Sequence, residues 1–176
     1  AITYLDSPEN PFTLSPAANE DGWNNSDVTI RAASGYDIGT VLNGGYKGSF
    51  TISSSKTNYK VYLQNSLGQM TDAITVGDIN IDKYSPGNVT VTYQDNGWKE
   101  FLNSITFGLF FKDTVEVKLT ATDNKSGVKE FRYTLDSTEY TVAASSGEAS
   151  FSINPQYKGN ISGIKAIDYA GNVSEE

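Results

Sequence analysis

The chain has 176 residues, with 21 acidic and 13 basic side chains, a formal charge of -8, no His and no Cys. The two absences exclude zinc fingers, thiol proteases, Ser-His-Asp triads and imidazole metal sites. An acidic balance without a run of Lys or Arg argues against nucleic acid and anionic membranes, while oxygen-ligated Ca²⁺ or Mg²⁺ and carboxylate-pair chemistry stay open.

Read in chain order, the pattern predicts strands nearly everywhere. Val28 with Ile30, Phe50 with Ile52, and Tyr59, Val61 and Leu63 place apolar side chains at every second position, which gives a strand one apolar and one polar face. The same alternation follows in Val115, Val117, Leu119 and Ala121, in Phe131, Tyr133 and Leu135, in Tyr140 with Val142, and in Phe151 with Ile153. Turn signals separate the runs: Ser34-Gly35, Asn43-Gly44-Gly45, Leu67-Gly68, Asp95-Asn96-Gly97, Ser126-Gly127 and Ser146-Gly147. One stretch differs. Trp98, Phe101, Leu102 and Ile105 have helical spacing and predict a short helical turn over 98–105, followed by the apolar run Phe107-Gly108-Leu109-Phe110-Phe111.

The chain repeats itself once. Asp21-Gly22-Trp23 matches Asn96-Gly97-Trp98, and Val28-Thr29-Ile30 matches Val115-Glu116-Val117. Ser49-Phe50-Thr51-Ile52 matches Ser150-Phe151-Ser152-Ile153, and Asn65-Ser66-Leu67-Gly68-Gln69-Met70 matches Asp168-Tyr169-Ala170-Gly171-Asn172-Val173. The order is kept and the offset grows, so the second copy carries insertions. The boundary falls near Ile81 to Gly87, where Pro86-Gly87 ends one strand system. The expected organisation is two all-β sandwiches of immunoglobulin type, 1–83 as a divergent repeat and 84–176 with a Phe-rich insertion after Trp98.

Ala121-Thr122-Asp123-Asn124-Lys125-Ser126-Gly127-Val128, followed by Phe131-Arg132-Tyr133, resembles the turn between the second and third strands of bacterial Ig-like repeats. Ala166-Ile167-Asp168-Tyr169-Ala170-Gly171-Asn172-Val173-Ser174 resembles their closing motif, and Ile79-Asn80-Ile81-Asp82-Lys83 with Pro86 resembles the joint between repeats. The first copy departs from the pattern, with Asn65 and Gln69 in place of the usual Asp and Asn. The resemblance is to repeats of Gram-positive cell-surface proteins. It implies tandem modules without catalytic activity that act as spacers or adhesive surfaces. It also implies an extracellular, cell-surface or cell-wall location and other domains of the same protein as partners. The start at Ala1 and the stop at Glu176 fit a piece of a longer chain.

Candidate sites are weighed against plainer uses. Asp168 accepts backbone N–H groups in an Asx-turn, and Gly171 and Asn172 tolerate the positive φ of a tight turn, so the closing motif reads first as a folding device. Asp123 and Asp168 end strands at one pole of an Ig-like order and form the candidate Ca²⁺ pair, although Ca²⁺ takes about 6–8 oxygens. The expectation for cofactors is therefore none, with Ca²⁺ at that pair as the alternative. The same pair, or Asp113, Glu116, Asp136 and Glu139, could be read as glycosidase carboxylates, but solvated charge on strand faces is the better reading. Trp23, Trp98, Phe107, Phe110 and Phe111, with Phe101, Tyr36 and Tyr46, form either a sugar-stacking platform or core and interdomain packing. Packing ranks first. A Lys118–Asn172 isopeptide is the remaining chemical option. Five N-x-Ser/Thr sequons, at Asn24, Asn88, Asn124, Asn160 and Asn172, carry no weight in a chain that resembles bacterial repeats.

The functional expectation is a non-catalytic spacer or presentation segment of a bacterial surface protein. The alternatives are an adhesin module binding a host protein or glycan through an edge strand or the aromatics, and an accessory carbohydrate-binding domain of a secreted glycan-active enzyme. No nucleic acid and no membrane insertion by this segment are expected.

Overall fold

The computed structural model describes residues 4–94, 105–106, 114–154 and 160–175. Among these residues every regular element is a strand, and the fold is all-β and Ig-like. The chain divides into two compact units, Ala1–Lys83 and Tyr84–Glu176. No helix among the described residues is long and apolar enough to cross a membrane.

Unit 1 contains β1 (Tyr4–Leu5), β2 (Phe12–Ser15), β3 (Trp23–Asn24), β4 (Val28–Ala32), β5 (Tyr36–Gly39), β6 (Ser49–Ile52), β7 (Lys56–Asn65), β8 (Met70–Thr71) and β9 (Ile74–Ile81). One sheet runs β2-β4-β6; the other runs β1-β8-β7-β9-β3, with β5 also on β7. The alternation seen in the sequence points Val28 and Ile30 of β4, Ile52 of β6, Ile38 of β5, Val61 and Leu63 of β7, and Ile79 and Ile81 of β9 into one buried cluster. Each such aliphatic side chain contributes about 1.5–3 kcal/mol by leaving water.

Unit 2 contains β10 (Thr90–Gln94), β11 (Ile105–Thr106), β12 (Val115–Thr120), β13 (Val128–Leu135), β14 (Thr138–Ala143), β15 (Glu148–Ile153) and β16 (Asn160–Asp168). The sheets run β10-β12-β15 and β11-β16-β13-β14. Val117, Leu119, Phe131, Tyr133, Ile153, Ile161 and Ala166 fill the space between them. An aromatic ladder ties the two sheets at one edge. Phe151 stacks on Tyr133 at 3.9 Å and 9°, and Tyr133 stacks on its cross-strand partner Tyr140 at 5.6 Å and 16°. The turn into β15 needs Gly147. Its φ is +78°, and a Cβ there would lie 2.5 Å from the Ala121 carbonyl oxygen, a position and a conformation that L side chains avoid.

The internal repeat reappears as register. In unit 1, β4 pairs β6 with Val28 opposite Ile52 and Ile30 opposite Phe50. In unit 2, β12 pairs β15 with Val115 opposite Ile153 and Val117 opposite Phe151. These are the residues that match in sequence. A slip of one residue would turn each set to the solvent face, so the apolar pattern holds the register in both units. The helical turn expected over 98–105 lies outside the described residues except for Ile105, which begins β11.

Candidate functional site

The Ala121 to Val128 segment leaves β12 through a turn that Asp123 organises. Its Oδ1 accepts the Lys125 N–H at 2.9 Å and the Gly127 N–H at 2.6 Å. An Asx-turn satisfies two backbone donors that no strand ladder would reach. Asp168, at the end of β16, is buried. Its Oδ1 accepts the Asn172 N–H at 2.8 Å, and its Oδ2 accepts the Asn172 side-chain amide at 2.8 Å. Gly171, with φ +89°, closes this turn by donating its N–H to the Asp168 carbonyl at 3.1 Å. Carboxylate oxygens of Asp123 and Asp168 approach within 4.8 Å of one another. Two carboxylates this close repel when both are ionised, and a cation between them would relieve that. They could supply part of the oxygen set that Ca²⁺ takes.

Beside Asp123 lies an open hollow of ≈ 340 Å³, lined among others by Thr122, Asn124, Ser146 and Tyr169. Tyr169 is 38% exposed. Tyr84 is more exposed still, and the Lys125 ammonium stands 5.6 Å from its ring centroid.

In the closing motif the sequence assigns roles to Asp168, Gly171 and Asn172 and none to Ser174, its last residue. The buried Ser174 accepts the Ala166 N–H on its Oγ at 3.0 Å and returns its own N–H to the Ala166 carbonyl at 2.9 Å. Thr71 does the same work in unit 1, where its Oγ1 accepts the Leu63 N–H at 3.0 Å. Thr71 is fully buried. The signal was there, because Leu63, Asn65 and Thr71 have the spacing of Ala166, Asp168 and Ser174. Asn65 likewise accepts the Gln69 N–H on Oδ1 at 3.0 Å, and its amide donates to Gln69 Oε1 at 2.9 Å.

The aromatic candidates part company. Trp23 lies on β3, half-buried, with its N–H donated to Asn19 Oδ1 at 2.9 Å. Tyr36 packs against the unit 1 core, and the Tyr46 hydroxyl donates to the Leu42 carbonyl at 2.8 Å. Trp98, Phe101, Phe107, Phe110 and Phe111 lie outside the described residues, as does Asp113. Glu116 and Glu139 are exposed on their strands, and Asp136 stands at the β13–β14 turn with φ +46°. Lys118 forms an ion pair with Glu148 at 2.8 Å on the surface, while the Asn172 amide is held by Asp168. These are the contacts made by the two residues of the isopeptide option.

Among titratable groups, burial pushes the Tyr93 phenol up to about 12. Tyr133 is raised by burial and then by the neighbouring Tyr140. Tyr59 is raised by burial, and Tyr46 by burial and then by Tyr62.

No family model matches the chain, and no curated protein matches it. Similar solved structures include the fibronectin(III)-like modules of Clostridium thermocellum CbhA. They share 15% identity over 93% of this chain and 89% of that one, with a TM-score of 0.44. A structure described for a 1.5-MDa bacterial ice-binding adhesin shares 14% identity over 96% of this chain and 63% of that one, with a TM-score of 0.32. At this distance neither says anything of this chain's activity, location or partners.

Proposed function

We propose that the chain is a pair of non-catalytic Ig-like modules that spaces or presents another part of an extracellular bacterial surface protein. The observation that carries this reading is the use made of the polar side chains in the conspicuous motifs. Asn65 and Thr71 in unit 1, and Asp123, Asp168 and Ser174 in unit 2, hold the backbone of their own turns and strands. A side chain whose oxygens satisfy local N–H groups is a folding device before it is a reagent. The same device recurs in both units, as expected of modules built for repetition. Other domains of the same protein are the proposed partners, and the cell surface of a Gram-positive bacterium is the proposed location.

The test is a glycan array together with capture from host extract, using the whole chain, plus an assay of glycoside turnover. Silence in all three is the expected result. Specific capture of a glycan or a host protein would replace the spacer with an adhesin or an accessory carbohydrate-binding domain. Turnover would overturn the non-catalytic reading.

The close approach of two carboxylates favours a second reading, in which Asp123 and Asp168 contribute to a Ca²⁺ site. Added Ca²⁺ then raises the melting temperature of the wild-type chain but not that of Asp123→Asn. Calorimetric melts with and without a chelator decide it, and an unchanged wild-type melt removes the site.

A further inference from the structure

Edge strands carry unpaired N–H and C=O groups, and proteins commonly blunt them with short length, proline, charge or bulges. Unit 1 follows this rule. β1 and β3 have two residues each, β3 lying parallel to β9, and β2 has Pro11 before it and Pro16 after it. In unit 2, β14 does not. Among the described residues it pairs with β13 alone, at the end of its sheet. It runs without a bulge against β13, and its sequence, Thr138-Glu139-Tyr140-Thr141-Val142-Ala143, holds one charge and no proline. Five of its six residues are exposed, Tyr140 at 44%.

The hairpin decides which backbone groups of β14 point outward. Asp136 and Ser137 both have positive φ, +46° and +67°, the conformation of a two-residue type I′ turn. Such a turn makes Leu135 and Thr138 a hydrogen-bonded pair, and the bonds to β13 then fall on every second residue, Thr138, Tyr140 and Val142. The Ala144 N–H, donated to the Lys129 carbonyl at 2.9 Å, continues that series. The N–H and C=O groups of Glu139, Thr141 and Ala143 therefore point away from β13.

This edge is complementary to itself. In an antiparallel pair of copies centred on Thr141, Glu139 faces Ala143 and Thr141 faces Thr141. The three outward residues of each copy then exchange about six hydrogen bonds. Tyr140 faces Val142 on either side of the centre, an aromatic and β-branched cross-strand pair, and Thr opposite Thr is also favourable. The two Glu139 carboxylates stand four residues apart along the strands, about 13 Å, which is beyond the ~8–10 Å over which salt leaves a charge felt. Glu130, opposite Ala143 on β13, is held by Arg132 at 2.8 Å.

We infer that a second copy of this chain adds to β14, antiparallel and about a two-fold axis at Thr141, so that two four-stranded sheets become one of eight strands. Six residues are few beside the ~20–30 a side of a standard interface. The association is therefore weak and acts where copies are crowded. It holds whether or not the chain is a spacer.

Sedimentation equilibrium of the full chain tests it. At ~10 μM the mass should be that of one chain, 19.1 kDa, and at ~1 mM about 1.5 times that, with nothing larger than a dimer, because a two-fold contact closes at two. The mass of one chain throughout, or growth past two chains, would overturn the interface. Thr141→Pro removes only an outward N–H and spares the β13 ladder. Thr141→Lys sets two like charges opposite one another at the axis. Both should keep the mass of one chain at ~1 mM; association equal to the wild type in either, once a thermal melt shows that it folds, overturns the interface. Thr141→Cys reads the register, in a chain with no other cysteine. Hydrogen-bonded antiparallel partners hold their Cα atoms ~5.5 Å apart, within disulfide reach. Mild oxidation should therefore link copies of Thr141→Cys roughly tenfold faster than copies of Glu116→Cys, which is exposed on the central strand β12. Equal rates would overturn the two-fold at Thr141.

Discussion

The closing turns of the two units have one geometry and different chemistry. In unit 1 the turn from Asn65 to Gln69 is held by two neutral amides; in unit 2 the turn from Asp168 to Asn172 is held by a carboxylate and an amide. The side-chain donor moves from the first residue of the turn to the last, while the backbone bonds stay. Gly68 and Gly171 have φ of +77° and +89° and donate to the first residue's carbonyl in each case. The turn therefore needs an acceptor for one N–H and a residue free to take positive φ, but not a charge. A charge-assisted bond is shorter and stronger than a neutral one: the side-chain oxygen accepts its N–H at 2.8 Å from Asn172 and at 3.0 Å from Gln69.

This contrast is sharpest under truncation. Asp168→Ala strands the Asn172 N–H and amide beside a buried site and should cost about 3 kcal/mol of unit 2 stability. Asn65→Ala removes a neutral, half-buried partner and should cost unit 1 about 1 kcal/mol. Residue-resolved amide exchange in the full chain reads each unit separately. Equal losses would mean that the charge adds nothing.

Next in size are the two hydroxyls, where the units should agree. Thr71→Val and Ser174→Ala each leave one buried strand N–H without its acceptor, Leu63 in one unit and Ala166 in the other. Each should cost about 1–3 kcal/mol, read as lost exchange protection in its own unit. A loss confined to one unit would break the equivalence.

The smallest effect separates the units by pH. Tyr93 packs on the unit 2 core, and its folded pKa is raised to about 12 from the ordinary 10.0. Below the unfolded value the phenol is protonated in both states, and stability is flat with respect to this group. Between the two values the unfolded chain gives up the proton and the folded chain keeps it, so stability falls as pH rises. Unit 2 should therefore lose exchange-measured stability above pH 10, with a shallower loss in Tyr93→Phe. An unaltered slope in that variant would assign the effect to Tyr133, which is also raised in unit 2.

Much of this protein was legible in advance because burial on one face of a strand leaves a period of two. Val28, Ile30, Val115, Val117 and Phe131 announced their strands in that way. The register between the matched strands follows from the same pattern. The two-residue strands β1, β3, β8 and β11 are too short to show any period, and nothing local marks Trp23 as the partner of Asn80. Thr71 was hidden for another reason: a hydroxyl that caps a strand N–H looks like any strand threonine until its neighbour is known.

The absence of His and Cys, the acidic charge, the alternating strands and the internal repeat were determined by the sequence alone, since each depends on residue type and local spacing. Tertiary structure decided which carboxylates approach one another, which hydroxyls are buried, and that β3 runs parallel to β9. Those features depend on contacts between segments far apart in the chain, where closure of the whole sandwich, and no local preference, chooses the partner.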